Sequence, residues 1–159
     1  MKSLNIEIKW AFLFSLMTLL WMLLERVSGL HSTLIAQHAT YTNLIAIPAI
    51  ALFVFALQEK KKIAYDGQMG FQQGLISGLI LTAMITALTP ITQTITSKFI
   101  TPDFFTNASN YAVQTKQLTA EAAAQYFNLQ SYIVQGLIGA PVMGIITTLI
   151  VAFFVRSKK

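Results

Sequence analysis

The chain has no cysteine, and only 11% of its 159 residues are charged. The first absence excludes disulfides, thiolate-bound zinc and thiol nucleophiles. The second puts the chain well below the quarter or so of charged residues usual in soluble domains. The few charges are also segregated. No Asp, Glu, Lys or Arg falls within Trp10–Leu24, Leu44–Leu57, Leu75–Ile91 or Tyr132–Val155. The sequence has no internal repeat, no low-complexity tract and no His-Glu-x-x-His pattern.

What is there is apolar, 55% of the chain. A bilayer core of about 30 Å takes about 20 mostly apolar helical residues per crossing. Each run reaches that length with its flanks, and in hydrocarbon only a helix bonds its own backbone completely. The expectation is an all-α integral membrane four-helix bundle in a single domain, with spans of about 8–28, 41–58, 70–94 and 131–155. Residues of about 95–130 form an external helical loop.

Lys and Arg concentrate on the cytoplasmic side of membrane proteins. Lys2, Lys9, Lys60, Lys61, Lys62, Arg156, Lys158 and Lys159 fall on one side of the four spans; Arg26, Lys98 and Lys116 fall on the other. Eight against three places both termini inside. The triplet 60–62 reads as a stop-transfer anchor rather than a site for acidic lipid or nucleic acid. The basic start and Val27-Ser28-Gly29 resemble a secretory signal. Glu7, Glu25 and Arg26, with interface-suited Trp10 and Trp21, favour an uncleaved span instead.

Small and polar residues mark the helix faces. Ser15, Thr18, Met22, Glu25 and Gly29 form one stripe on the first span, which turns it toward the bundle. Gly70, Gly74 and Gly78 continue in register as Thr82, Thr86, Pro90 and Thr94; Gly136, Ala140 and Gly144 continue as Thr148 and Ala152. Small residues four apart let helix backbones approach closely in lipid, so both stripes are expected to pack helices. Pro48 and Pro141 lie within spans. The loop 28–40 reads as short and polar, and Asp66-Gly67 as a turn. In the external segment, Thr101-Pro102-Asp103 reads as a helix start capped by Thr101. Phe104, Phe105, Ala108, Tyr111 and Ala112 share one face of that helix, and Thr119 with Glu121 starts a second. The amphipathic pair is expected to lie in the interface or over the bundle.

The run Trp21-Met-Leu-Leu-Glu-Arg26 with Gly29-Leu-His31, and Tyr41-Thr-Asn43 with Ala46-Ile-Pro48-Ala49, resembles the family known as domain of unknown function 4199. So do Phe71-Gln-Gln-Gly74 with Ser77-Gly78, Ile100-Thr-Pro102-Asp103, Tyr126-Phe-Asn128 with Ser131-Tyr132, and Val142-Met-Gly144 leading to Arg156-Ser-Lys-Lys. The resemblance spans essentially the whole chain. It implies a small four-helix protein of the bacterial inner membrane, and it carries no activity with it.

Glu25 is the most informative ionisable residue, because acids inside spans mark function or a buried partner. A polar pocket of Glu25, Arg26, Asn43, Gln93 and Gln135 is one reading; Tyr41 and Gln130 lie at the same level. The plainer one is that Glu25 reaches the interface and bonds helix ends. Among the partners, another helix is favoured over Arg26, since sequence neighbours on a helix point about 100° apart. His31 and His38 with Glu25 or Asp103 could bind an external metal, but their spacing matches no recognised ligand motif. No metal and no cofactor is expected. The serines and threonines lack a readable base, and Asn107-Ala-Ser109 is a chance glycosylation triplet. The threonines of the third span read as helix-bonded hydroxyls, with no midplane acid for proton coupling.

The leading functional reading is therefore a non-enzymatic structural, assembly or accessory protein acting through helix packing. Its partners would be the lipid bilayer and a second copy or a larger membrane complex, with no nucleic acid. Beside it stand a small-solute transporter or lipid-binding protein with a pocket near Glu25, and an enzyme using an external His/Glu site.

Overall fold

The computed structural model describes residues 4–157; Lys2, Lys158 and Lys159 of the charge count lie outside them. The described residues are helical and include no strand. Four stretches are long and apolar enough to cross a membrane: Asn5–Val27, Ile35–Ala64, Phe71–Ile100 and Leu129–Val155.

The first span is α1 (Asn5–Val27). The second is composite: α2 (Ile35–Tyr41) passes through a tightened turn, Thr42–Ile45, into α3 (Ala46–Ala64). The expected polar loop is thus shorter than 28–40, and helix begins six residues before Tyr41. Gln37, His38 and Thr40 hide this start from an apolar-run reading. The tightened turn immediately precedes Pro48, where the helical ladder loses a donor.

Helix α4 (Phe71–Ile95) continues through a wide π-type turn, Thr96–Ile100. Thr101 does not cap the next helix. Its backbone N–H and hydroxyl both turn back to the Thr96 carbonyl, and α5 (Phe104–Gln114) starts after Asp103. The π-type turn claims Thr101 before the helix does. Thr119 does cap α6 (Ala120–Tyr126), accepting from the Ala122 N–H at 3.2 Å. Asn128 caps α7 (Leu129–Val155), accepting from the Ser131 N–H at 2.8 Å.

The spans alternate in direction. At one end, the start of α1 meets the end of α3: Glu7 pairs with Lys60 at 2.8 Å and Lys9 with Glu59 at 2.5 Å. Ser77 of α4 donates to the same Glu7 carboxylate at 2.6 Å. Glu7, Lys60 and Ser77 are all buried. Of the lysine triplet, Lys61 donates to the Val155 carbonyl at 2.9 Å and Lys62 is exposed. Ser157 clasps the turn between α3 and α4, bonding Met69 and Gly67.

The most extensive helix pairing is α4 with α7. Gly74 lies against Ala152, Gly78 against Thr148, and Gly144 against Thr82. Gly136 faces Thr89, whose methyl would stand 2.6 Å from an added Cβ. Gly70 is exposed at the start of α4, and Ala140 is half-buried. At these close approaches the lack of a side chain is what the backbone needs. Leu57, Phe53, Leu81, Ile85 and Val151 fill the core around this pair.

Candidate functional site

At the opposite end, α1 stops in a left-handed turn that redirects the chain. Gly29 takes φ +84°, its N–H bonds the Arg26 carbonyl, and the Leu30 N–H bonds the Glu25 carbonyl. This Schellman arrangement satisfies the end of the helix and reverses the backbone. The reversal lays His31 back over the last turn of α1, and α2 then carries His38 to the same place.

Both imidazoles converge on Glu25. His31 Nε2 is 2.8 Å and His38 Nε2 3.3 Å from the same oxygen, Oε2. The other oxygen, Oε1, accepts from the Trp21 indole N–H at 2.5 Å. Glu25 is 2% and His31 5% exposed; His38 is half-buried. Phe104 lies against both histidine rings, at centroid distances of 4.8 and 4.9 Å. Asn107 donates to the His31 carbonyl at 2.9 Å, so α5 braces the turn.

The other residues of the expected pocket are placed elsewhere. Arg26 is exposed. Asn43 is exposed and donates to the Ala39 carbonyl, while Gln135 donates to Ser131 on its own helix. Asp103, the alternative acid, is exposed beside α5. Gln93 alone of the amides adjoins the cluster: it lines a pocket of about 180 Å³ together with His31, His38, Thr42 and Ser97. The partners of Glu25 thus include His31 of the following turn, His38 on α2 of the second span and a tryptophan of its own helix; the expected partner on another helix is a histidine in place of an amide. Sequence reasoning missed Trp21, Phe104 and Asn107 as members. Trp21 at four residues before Glu25 was a readable signal, since i and i+4 share a helix face.

A larger cavity of about 590 Å³ lies between the spans. Ser15 and Thr18 of α1, Ala49 and Phe53 of α3, Thr82 to Gln93 of α4, and Gly136 to Thr147 of α7 contribute to its walls. The hydroxyls are mostly committed: Ser15 and Thr18 donate to carbonyls one turn back, as do Thr82, Thr89 and Thr92. The walls therefore present mainly methyl groups, aliphatic side chains and the Phe14 and Phe53 rings, with the Asn43 and Gln93 amides as polar groups. Gln93 lines both this cavity and the smaller pocket.

Residues 9–157, nearly the whole chain, match the family described as protein of unknown function (DUF4199). No curated protein matches the chain, and no solved structure does.

Proposed function

The chain belongs to the DUF4199 family, and we propose that it is a non-enzymatic protein of the bacterial inner membrane that holds one largely apolar molecule among its four spans. The observation that carries this is the cavity of about 590 Å³. That volume lies in the range of small-molecule sites, and apolar walls with a few polar groups are their usual lining. Its occupant is a lipid chain or a molecule of similar size and polarity. Packing supports this reading over a purely scaffolding one. Gly74 and Gly78 on α4 already meet Ala152 and Thr148 on α7, and Gly136 and Gly144 meet Thr89 and Thr82, within the chain. An accessory or self-associating role needs a further face, and there the same cavity would receive a helix of a second chain.

Gly139 supplies the test. It lines the cavity, and a Cβ built on it meets nothing within 4 Å. Gly139→Leu should fill the space without straining the bundle. Native mass spectrometry of the wild type, released from mild detergent, is expected to show a bound molecule of lipid-like mass that Gly139→Leu loses while keeping its thermal stability. Retention of the same mass by Gly139→Leu would refute the reading. A wild type that carries only a second polypeptide would replace it with the accessory role.

The orientation we propose has both termini and the α3–α4 turn in the cytoplasm, with the histidine end outside, supported by the lysine and arginine bias. Single cysteines enter a background that has none. Asn110→Cys should react with an impermeant maleimide in intact spheroplasts, and Gln68→Cys only after lysis. Both positions are exposed. The reverse pattern would invert the assignment.

A further inference from the structure

We infer that Glu25, His31 and His38 form a binding site for one divalent transition-metal ion, with zinc the best chemical fit. The ligand atoms of the three residues all lie within 4.8 Å of one another. Two imidazoles and one carboxylate are a set that zinc uses where a further coordination position stays open. Calcium and magnesium prefer all-oxygen sites and are disfavoured by two nitrogens.

Two of the three ligand separations are close to those of a bound ion. With metal–ligand distances of about 2.0–2.1 Å, tetrahedral ligands stand about 3.3 Å apart. The His38–Glu25 separation is 3.3 Å, and the His31–Glu25 separation of 2.8 Å has to open by about half an ångström. Trp21 holds Oε1, which leaves Oε2 as a single-oxygen ligand facing both Nε2 atoms. Asn107 and Phe104 fix the His31 turn and the two rings. Such outer contacts orient ligands and raise affinity in metal sites.

The buried ring of His31 also has one polar atom left over. His31 Nδ1 is buried and has no hydrogen-bond partner among the described residues. With Nε2 turned to a metal ion the ring hydrogen sits on Nδ1, where it needs an acceptor outside the protein. A metal ion supplies the positive charge that the buried Glu25 carboxylate calls for. The pocket of about 180 Å³ lined by His31 and His38 has room for water. Water there can complete the coordination and bond the orphaned nitrogen.

None of the three ligands lines the interspan cavity, so the two readings fail separately. Full-length protein, stripped with chelator in mild detergent, would be titrated with Co²⁺ and then Zn²⁺. The expected result is one Co²⁺ per chain, with visible d–d bands of a four- or five-coordinate ion, displaced by Zn²⁺ and accompanied by a rise in Tm. His38→Asn, at a half-buried position that leaves the Glu25–His31 contact in place, should weaken binding at least tenfold. Glu25→Gln should abolish the bands, and Gly139→Leu should leave them unchanged. No saturable binding by folded wild type, or equal binding by folded His38→Asn, would overturn the inference and leave the cluster a buried hydrogen-bonded brace.

Discussion

Glu7→Gln should be among the most damaging single changes in this protein. Glu7 and Lys60 are 2% and 4% exposed, so the substitution leaves the ammonium of Lys60 buried against a neutral amide. Breaking one side of a buried pair typically costs about 3–5 kcal/mol, because the remaining charge stays desolvated. That is a large part of the roughly 5–15 kcal/mol that holds a domain folded. The Ser77 hydroxyl, 2.6 Å from Glu7, can still donate to the new amide, so the loss reports the charge. Denaturant titration in mild detergent would measure it. Glu7→Leu combined with Lys60→Met should recover most of the loss, since removing both charges also removes their desolvation cost. A Glu7→Gln protein within about 0.5 kcal/mol of wild type, as for an ordinary surface change, would show that the pair is not buried in the folded membrane protein.

Gly78→Leu should rival it by a different route. A Cβ at Gly78 falls onto the methyl and hydroxyl of Thr148, which is fully buried on α7. Even Gly78→Ala has to push α4 and α7 apart, and overpacking of this kind costs about 1–3 kcal/mol. In lipid, close packing is itself the main attraction between helices, so the separation is not offset by burial elsewhere. Thr148→Ala deletes both colliding atoms, and it removes a buried hydroxyl that has no hydrogen-bond partner among the described residues. The double variant Gly78→Ala with Thr148→Ala should therefore be more stable than the two single losses add up to, with a coupling of about 0.5–3 kcal/mol. Gly139→Ala, in open space on the same α7, should be neutral or stabilising by up to about 1 kcal/mol. Equal losses at Gly78 and Gly139 would mean that the α4–α7 contact contributes nothing specific.

The spans were legible because their signal is local: uncharged apolar runs of bilayer length need no tertiary information. The inward face of α1 was legible for the same reason, and Ser15, Thr18 and Met22 line the cavity or the pocket while Glu25 is buried. His31 and His38 were named beside Glu25 from the sequence, but their spacing gave no reason for the three to meet. Their meeting depends on the left-handed turn at Gly29 and on helix beginning at Ile35, which together bring residues six and thirteen positions away onto one oxygen. Spacing rules for metal ligands assume a regular element, and a chain reversal defeats them. The lysine triplet hid a similar distinction. Three consecutive helical residues point about 100° apart, so identical side chains meet Glu7, the Val155 carbonyl and the exterior. Thr101 misled because its cap-like sequence ignores the competing carbonyl of Thr96 in the π-type turn.

The clasp of Ser157 on Met69 and Gly67 has a consequence for how the protein is made. Helix α4 is synthesised before α7, the neighbour against which it packs most extensively. Until then Gly74, Gly78 and Thr82 present a notched, uncovered surface to lipid and to any insertion machinery alongside. The closing bonds from Ser157 to the α3–α4 turn join residues nearly ninety positions apart. They form only once translation has passed the last span. A ribosome stalled within α7 would therefore hold a chain in which the small-residue face of α4 is still uncovered.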